Sequence, residues 1–286
     1  MENKQIIKNI FTIDTEEYFQ VEAFKHLIPQ QIWSKFGLRI RYGLEQLLYL
    51  LDKNNIKATF FVLGWLAEKE PTLIREIAQE GHEIASHGYW HNMIYNQTKE
   101  EFRKDVFKAK QVLEEITGKT VIGYRAPTYS VIKKTLWALD LLAEVGYQYD
   151  SSIFPILHDR YGIPNATRTI YNHKTTDDKS IIEIPLSTVR CLFINIPIGS
   201  GGYLRIFPKW YTIKGFGYLN KKGIPAIVNV HIWELDDEQP PVHVKGLAKF
   251  RHYKGIKNVR EKLENLCQKF TFVPAREYLK EKGMIT

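Results

Sequence analysis

Long apolar segments are missing from this sequence of 286 residues, and cysteine is scarce. No run approaches the roughly 18 apolar residues that a membrane-spanning helix requires. Residues 1–9 are polar and lack an apolar signal core, which predicts a cytoplasmic chain. The two cysteines, Cys191 and Cys267, lie far apart without the spacing of a metal site, so we expect two buried thiols and no bridge.

Nucleic-acid motifs and long basic runs are also absent. The 40 Lys and Arg exceed the 32 Asp and Glu, and the resulting charge of +8 is spread along the chain. This pattern argues against a nucleic-acid partner. It favours simple solubility, with attraction to an anionic glycan or peripheral contact with a membrane surface as the alternative.

Short apolar segments that predict strands alternate with helical patterns over the first half of the chain. Helical spacing and turn signals predict helices over 38–51, 71–79, 99–116 and 133–145. Such alternation indicates an α/β fold with a parallel sheet or barrel wrapped by helices. We find no linker, so we predict a single domain over residues 1–286, with residues 236–286 as a C-terminal extension packed on it.

After Asp150 the pattern loosens. We expect a polar loop over 165–179, a strand over 181–185 and a helix over 208–222. The Gly-rich segment 198–205 lacks the spacing of a dinucleotide-binding motif, and we interpret it as a flexible wall of an active site.

Polar side chains follow five of the predicted strands, and these are Asp14, His87, Arg125, Asp150 and His231. In a parallel barrel the carboxyl ends of the strands form one rim, where catalytic residues cluster. The sequence therefore predicts that these five side chains meet.

The segment Ser86 to His91 (SHGYWH) offers two histidines four residues apart. If the segment turns into a helix, His87 and His91 lie on one face and can share a cation. A bare pair with this spacing is more often two unrelated surface histidines, but its place after a strand favours a metal site. His82, on the preceding turn, is interpreted as structural and satisfied by the backbone.

An acidic segment, Asp14-Thr15-Glu16-Glu17, follows the first strand. A hydrolytic metal site with two histidines needs a carboxylate as third ligand and a second carboxylate to take a proton from water. Strand alternation points Asp14 and Glu16 the same way. We assign Asp14 as the base and Glu16 as the ligand, and Glu17 stays an alternative ligand because strand geometry often breaks at a rim.

Two further segments complete the expected site. Arg125, in RAPTY, can hold a neighbouring carboxylate and keep it ionised, and a backbone N–H near its proline can stabilise an oxyanion. His231, in HIWE, can protonate a leaving amine, with Asp150 to orient it. Each motif alone is weak.

Together these motifs resemble the polysaccharide deacetylase family, the NodB-homology group of carbohydrate esterase family 4. The resemblance covers residues 8 to 235 and rests on the acidic segment followed by ATFFVLGW, GHEIASHGYWH, GYRAPTYS, DSS and the late histidine. The D-x-E spacing is similar to the branch that contains cyclic-imide and allantoin-type hydrolases and a peptidoglycan deacetylase. The tail resembles a C-terminal extension associated with exopolysaccharide loci.

The resemblance implies a distorted (β/α)₇ barrel and a divalent metal, usually Zn²⁺, bound by His87, His91 and an acidic residue. It implies that Asp14 activates water, that Arg125 tethers Asp14, and that His231, aided by Asp150, is the general acid. It places a backbone N–H near Tyr129 beside the tetrahedral intermediate. We expect substrate contacts from Tyr129, Trp90 and Trp233.

This sequence departs from the family pattern at two places. Glu16-Glu17 stands where the family has an Asp ligand, which leaves the third ligand open. Trp90 lies between the two histidines, where a smaller or polar residue is expected, and it either forms a sugar platform or narrows the site.

Three functions follow, in order of preference. The first is removal of N-acetyl groups from N-acetylhexosamine units of a bacterial polysaccharide or its lipid-linked precursor. The second is hydrolysis of a small cyclic amide of the allantoin or imide type. The third is a glycan-binding protein without catalysis.

Overall fold

The computed structural model describes residues 6–177 and 179–286, so most of the polar segment 1–9 lies outside the described residues. Within that part the strands are β1 Lys8–Thr15, β2 Thr59–Val62, β3 Glu83–Ser86, β4 Gly123–Tyr124, β5 Tyr149–Asp150, β6 Tyr171–Lys174, β7 Ser180–Glu183, β8 Thr188–Cys191, β9 Ile194–Pro197, β10 Ile227–His231 and β11 Thr271–Val273. The α-helices are α1 Ile40–Lys53, α2 Gly64–Lys69, α3 Pro71–Gln79, α4 Lys99–Thr117, α5 Trp137–Val145, α6 Gly201–Ile206, α7 Lys209–Lys221, α8 Gly246–Tyr253, α9 Val259–Lys269 and α10 Ala275–Glu281.

One curled sheet organises the chain, in the order β10-β1-β2-β3-β4-β5-β7-β6. Neighbours from β10 to β7 pair in parallel, and β6 runs antiparallel to β7. Between β7 and β10 the ladder is interrupted, and the gap is bridged by Ile227 N, which donates to Ser187 Oγ at 2.7 Å, and by Asn229 N, which donates to Gly199 O at 2.8 Å. The prediction of a distorted (β/α)₇ barrel is confirmed.

Local signals explain the helix boundaries. Pro71 opens α3, where its missing N–H costs nothing. Thr98 and Glu101 form a reciprocal capping box at the start of α4, and Gly118 ends that helix in the left-handed region at φ 64°. The apolar faces of these helices pack outside the sheet.

The inside of the barrel is filled by side chains from alternate strand positions, including Ile10, Phe61, Ala85, Ile122 and Tyr149. Helix α10 closes the amino-terminal end of the barrel, because Ala275, Tyr278 and Leu279 pack into the same cluster. Strand β11 pairs in parallel with the start of β1. Residues 236–286 thus add a strand to the main sheet as well as packing on it, and the boundary at 236 stays a prediction.

Several local expectations were wrong. Residues 171–174 form β6 within the segment expected as a loop, of which Asp178 lies outside the described residues. Most of the Gly-rich segment 198–205 forms α6 and is not a loop, although its residues do line a cavity at the carboxyl edge of the sheet, as expected. Cys191 is exposed on the hairpin of β8 and β9, whereas Cys267 is buried as expected. Across the described residues, no helix has both the length and the apolar character to cross a membrane.

Candidate metal centre and catalytic rim

The five predicted strand-end side chains lie at the carboxyl edge of the sheet. Asp14 pairs directly with His231 across β1 and β10, and Tyr124 pairs with both Ser86 and Asp150. His87 and Arg125 are the residues that follow Ser86 and Tyr124 in the chain. The parallel register therefore brings distant segments to one rim, as the sequence predicted.

Glu16, His87 and His91 form a buried cluster whose ligand atoms all lie within 4.8 Å of one another. Glu16 Oε2 lies 2.7 Å from His91 Nε2 and 3.9 Å from His87 Nε2. This oxygen is buried, and its contact with His91 Nε2 lacks the alignment of a regular hydrogen bond. A carboxylate oxygen close to two imidazole nitrogens fits a divalent cation, since two histidines and one carboxylate are a common ligand set for catalytic zinc.

His87 is held in the form that a metal requires. Its Nδ1 lies 2.8 Å from Arg125 O, so this nitrogen donates to the carbonyl and Nε2 keeps a free lone pair. Burial lowers the pKa of His87 to about 4, and the ring is neutral at physiological pH. Neutral imidazole is the ligand form of histidine.

The segment from His87 to His91 is a loop, so the helical spacing suggested for the two histidines is not the reason they meet. Gly88 at φ 75° and His91 at φ 54° turn the chain back toward Glu16. Asp105 on α4 fixes this turn, because its carboxylate accepts from Tyr89 N at 2.8 Å and Trp90 N at 3.1 Å. The two histidines converge through the turn and Asp105 together.

Glu17 points away from the cluster. Its Oε1 accepts from Arg39 N at 2.6 Å and from Ile40 N at 2.8 Å, at the first residues of α1. Burial raises the pKa of Glu17 to about 7. The side chain satisfies helix N–H groups that would otherwise be unpaired, which is a structural task.

Asp14 is bound by two donors. Arg125 Nη1 donates to Oδ1 at 2.9 Å, and Asn229 Nδ2 donates to Oδ2 at 2.8 Å. Burial raises the pKa of Asp14, but the charge of Arg125 and the neighbouring His87 and His231 outweigh it, so the pKa stays below its usual value. Asp14 is therefore an ionised carboxylate.

Arg125 is fully buried and donates to four other groups. Nη1 reaches Thr12 Oγ1 at 2.9 Å and Asn229 Oδ1 at 2.6 Å, while Nε and Nη2 reach Ser151 O and Oγ, each at 2.9 Å. A buried guanidinium with all its partners in place cannot rotate freely. It fixes the position of Asp14.

His231 lies between carboxylates. Its Nε2 is 3.5 Å from Asp14 Oδ2 and 3.8 Å from Glu16 Oε1, and its Nδ1 is 3.4 Å from Glu234 Oε1. Burial lowers the pKa of His231, but Glu234, Glu16 and Asp14 outweigh it and raise the pKa to about 9. Glu234 is in turn held by Arg205 Nε at 2.6 Å.

The expected pairing of Asp150 with His231 is wrong. The carboxylate of Asp150 accepts from Ser152 N at 3.1 Å and Ser152 Oγ at 2.6 Å. Ser152 Oγ also accepts from Ala126 N at 2.7 Å. Asp150 thus orders the loop after Arg125, and the neighbour of the His231 imidazole is Glu234.

A cavity of ≈ 360 Å³ opens in front of the rim and contains Asp14, Glu16 and the three histidines of the site in its wall. Tyr129 and Trp233 also line it, and their contact with substrate stays a prediction. Trp233 Nε1 donates to Glu16 Oε1 at 3.0 Å, and its ring stacks on His231 at 5.2 Å between ring centroids. His252 of α8 stacks on the other face of Trp233 at 4.3 Å.

Trp90 does not line this cavity, so the expected sugar platform is wrong. Its ring packs against Tyr89 at 4.8 Å and Trp33 at 6.3 Å between ring centroids. Trp90 neither narrows the cavity nor offers it a stacking face.

The loop after Arg125 is strained. Thr128 and Tyr129 both have left-handed φ angles, of 55° and 49°. Tyr129 N donates to Ala126 O at 3.1 Å, so that N–H is already engaged. Tyr129 Oη accepts from Asn229 Nδ2 at 2.7 Å, which ties the ring to the amide that also holds Asp14. An oxyanion donor near Tyr129 stays a prediction.

Three side chains of the site were missed from the sequence. Asn229 is the polar residue inside the apolar strand AIVNV, two positions before His231 and on the same face, and this was a usable signal. Glu234 lies one short turn after His231. Nothing in the sequence distinguishes Asp105 from the other charged residues of α4.

Comparison with known families divides the chain in two. Residues 39–149 match the polysaccharide deacetylase family model, and residues 151–280 match a domain of unknown function, DUF3473. Asp14 and Glu16 precede both regions, while His231 and Trp233 lie in the second. The cavity is therefore assembled from three stretches of the chain.

Curated relatives match the central part. A peptidoglycan-N-acetylglucosamine deacetylase of Bacillus cereus is 34% identical over 96 residues, which are 33% of this chain and 35% of the relative. A peptidoglycan deacetylase of Helicobacter pylori is 31% identical over 111 residues, 39% of this chain and 37% of the relative. The matched region thus spans about a third of the length of these relatives.

Solved structures match over almost the whole chain. A Mycobacterium smegmatis protein assigned as a polysaccharide deacetylase has 22% identity and a TM-score of 0.62, over 97% of this chain and 91% of the other. The Puue allantoinase has 16% identity and the same TM-score of 0.62, and the match covers 100% of this chain and 94% of the allantoinase chain. At these identities the likeness concerns the fold alone. The chain thus carries a polysaccharide deacetylase (NodB-homology) region over residues 39–149, followed by a DUF3473 region over residues 151–280.

Proposed function

We propose that the chain is a metal-dependent hydrolase that removes N-acetyl groups from N-acetylhexosamine units of a bacterial polysaccharide, or of its lipid-linked precursor, in exopolysaccharide biosynthesis. One observation carries the proposal. A buried carboxylate oxygen of Glu16 lies close to Nε2 of both His87 and His91, next to an ionised Asp14 and His231, in the wall of an open cavity. Relatives named as N-acetylglucosamine deacetylases support the choice of bond.

The proposed ligands are Glu16 Oε2 and Nε2 of His87 and His91. A divalent cation there, proposed to be Zn²⁺, would supply Lewis acidity to the acetamido carbonyl and to water. Trp233 and Arg125 orient two of the proposed ligands through hydrogen bonds. Trp233 Nε1 donates to the second oxygen of Glu16, and Arg125 O accepts from His87 Nδ1. Such supporting bonds fix the ligand geometry.

Asp14 is the proposed base. Arg125 donates a hydrogen bond to one oxygen of the carboxylate and Asn229 donates to the other. Because the carboxylate stays ionised, it can take the proton of an attacking water. The same two donors stop the carboxylate from swinging into the metal cluster. Asp14 therefore keeps the role of base, distinct from that of Glu16 as ligand.

His231 is the proposed acid. Its raised pKa, about 9, keeps the ring protonated at neutral pH, and a protonated imidazole can deliver a proton to the leaving amine nitrogen. Glu234 takes the orienting role that we had expected of Asp150. The stacked face of Trp233 limits rotation of the ring.

The cavity suits a saccharide. Its aromatic wall includes Tyr129, Tyr161, Tyr203 and Trp233, which offer flat faces and hydroxyl groups to a sugar ring. One side is open to solvent, which allows a longer chain to extend outward. We propose that these residues position the acetamido group over the metal cluster.

The test is release of acetate by purified, zinc-loaded protein from N-acetylglucosamine oligomers and from an acetylated exopolysaccharide. We expect activity that a chelator abolishes and zinc restores. Absence of acetate from every glycan would defeat the proposal. Faster turnover of allantoin or of cyclic imides would move the assignment to cyclic amides, and glycan binding without any bound cation would point to a non-catalytic role.

A further inference from the structure

The hairpin of β8 and β9 ends in an apolar tip that faces solvent. Cys191 pairs with Ile194, so Leu192 and Phe193 form a two-residue turn. These two side chains are 84% and 88% exposed, and Ile194 is 64% exposed. Single exposed apolar residues are ordinary. Three large ones in succession on a projecting turn contribute nothing to the core and need another explanation.

The backbone conformation at the tip is also unfavourable for Leu192. Leu192 has φ 52°, in the left-handed region. Two-residue hairpin turns use this conformation but normally place Gly, Asn or Asp there, because a larger side chain is strained. A glycine or asparagine would remove both the strain and the exposed apolar surface. Retained strain of this kind is typical of functional positions.

The hairpin lies beside the cavity. Asn195 Nδ2 donates to Pro155 O at 2.7 Å and to Pro164 O at 3.1 Å. The segment between those prolines supplies Arg160 and Tyr161 to the cavity wall. The hairpin therefore packs against a segment that forms part of the cavity wall.

Basic residues and an exposed tryptophan lie on the hairpin itself and on the neighbouring helix α7. Arg190 lies on β8, next to Cys191. Helix α7 meets the hairpin through Tyr211 Oη, which donates to Pro197 O at 3.3 Å, and this helix carries Trp210 and Lys214. Trp210 is exposed, and Lys214 Nζ lies 5.2 Å from its ring centroid.

We propose that Leu192, Phe193 and Ile194 insert into the interface of an anionic lipid bilayer, with these basic residues on its headgroups, and hold the cavity mouth at the membrane surface. Apolar tips flanked by tryptophan and basic residues are suited to that interface. A convex tip needs no preformed pocket in a fluid bilayer, whereas a protein partner would have to supply one. The proposal concerns location and stands apart from the deacetylation chemistry.

Sedimentation with vesicles tests the proposal. Wild-type protein is expected to bind phosphatidylglycerol–phosphatidylcholine vesicles more strongly than pure phosphatidylcholine vesicles, and less strongly as salt rises. Phe193→Ser is expected to weaken binding roughly tenfold, from the loss of one inserted aromatic side chain. The matched control is Phe107→Ser on α4, another exposed phenylalanine, which should bind like wild type.

A second readout uses the native thiol. Cys191 is exposed and Cys267 is buried, so an environment-sensitive maleimide dye labels the position beside the tip. Its emission should shift to the blue on anionic vesicles. Equal binding by Phe193→Ser and Phe107→Ser, or an unchanged emission on vesicles, overturns the proposal. A dimer that Phe193→Ser disrupts, without vesicle binding, also overturns it and assigns the tip to a second copy of the chain.

Discussion

Both ends of the barrel contain a buried glutamate, but the two carboxylates differ in their hydrogen bonding. At the carboxyl rim, Glu16 keeps one oxygen without a hydrogen bond. At the amino-terminal end, Glu83 is equally buried, but its oxygens accept from Thr59 Oγ1 at 2.6 Å, Tyr149 Oη at 2.8 Å and Arg276 N at 3.0 Å. Both carboxylates are buried, but the oxygens of Glu83 accept from donors of the fold, whereas Glu16 Oε2 faces two imidazoles.

Histidines show the same contrast. His82, near the amino-terminal end, accepts from Ala58 N through Nδ1 at 3.2 Å, and burial lowers its pKa to about 4. It is satisfied by the backbone, as the sequence had suggested. At the rim, His231 stands among three carboxylates with no aligned partner for Nδ1 in the described structure. His82 has a structural role, whereas His231 is available for proton transfer.

The largest expected effect is at His87. His87→Ala should reduce deacetylation to background and weaken zinc affinity by more than about 100-fold, because one of three ligands is lost. Metal analysis after dialysis and acetate release measure both. His82→Ala is the control from the other end, and it should lose stability while keeping its zinc. Full zinc occupancy in His87→Ala would show that the proposed cluster is not the metal site.

Asp14→Asn should lower turnover by roughly 100-fold or more, since the amide cannot accept the proton of water. Zinc content should stay close to that of wild type, because Asp14 is bound by Arg125 and Asn229 and not placed in the cluster. Initial rates and metal analysis on the same samples separate the two effects. Unchanged turnover would remove Asp14 from the mechanism.

Glu16→Gln and Glu17→Gln compare neighbours with different tasks. Glu16→Gln should weaken zinc binding by about 10- to 100-fold. Glu17→Gln should leave zinc affinity unchanged, since this side chain faces the start of α1. Competition with a chelating dye gives both affinities. Equal affinities in the two variants would contradict our choice of ligand.

The smallest expected effect is the pH dependence of stability that His82 contributes. The folded chain holds its pKa at about 4, below the ordinary 6.5, so the unfolded chain takes up a proton first as pH falls. This stability is fully present above pH 6.5 and is lost as pH falls toward 4. The free energy of unfolding should fall between pH 6.5 and pH 4 in the wild type. We expect this fall to be smaller by about 1 to 3 kcal/mol in His82→Asn, as measured by denaturant titration at each of these two pH values. An identical loss in wild type and variant would show that His82 does not titrate in this way.

Local patterns predicted the rim because its residues sit at strand ends. Asp14, His87, Arg125 and His231 each follow an apolar segment, and parallel pairing brings such positions together whatever lies between them. The helix boundaries were predictable for the same reason, since Pro71 and Gly118 act locally.

The remainder depended on contacts between segments distant in sequence. Asp105 acts on a loop that precedes its helix, and no local signal marks that contact. Asp150 ends a strand as His231 does, yet its nearest donors belong to Ser152 in its own loop. The direction of Trp90 follows from left-handed residues on both sides of it, which spacing alone does not reveal.

The pairing of β11 with β1 has a consequence for how the molecule is assembled. Lys8 on the first strand pairs with Thr271, so the strand that leads to Asp14 gains this neighbour only after residue 271 has left the ribosome. Pairing across such a separation closes a very long loop and is slow compared with local structure. A fragment cut to residues 39–149 would contain both histidine ligands but neither of these strands, and would lack Asp14, Glu16 and His231 altogether.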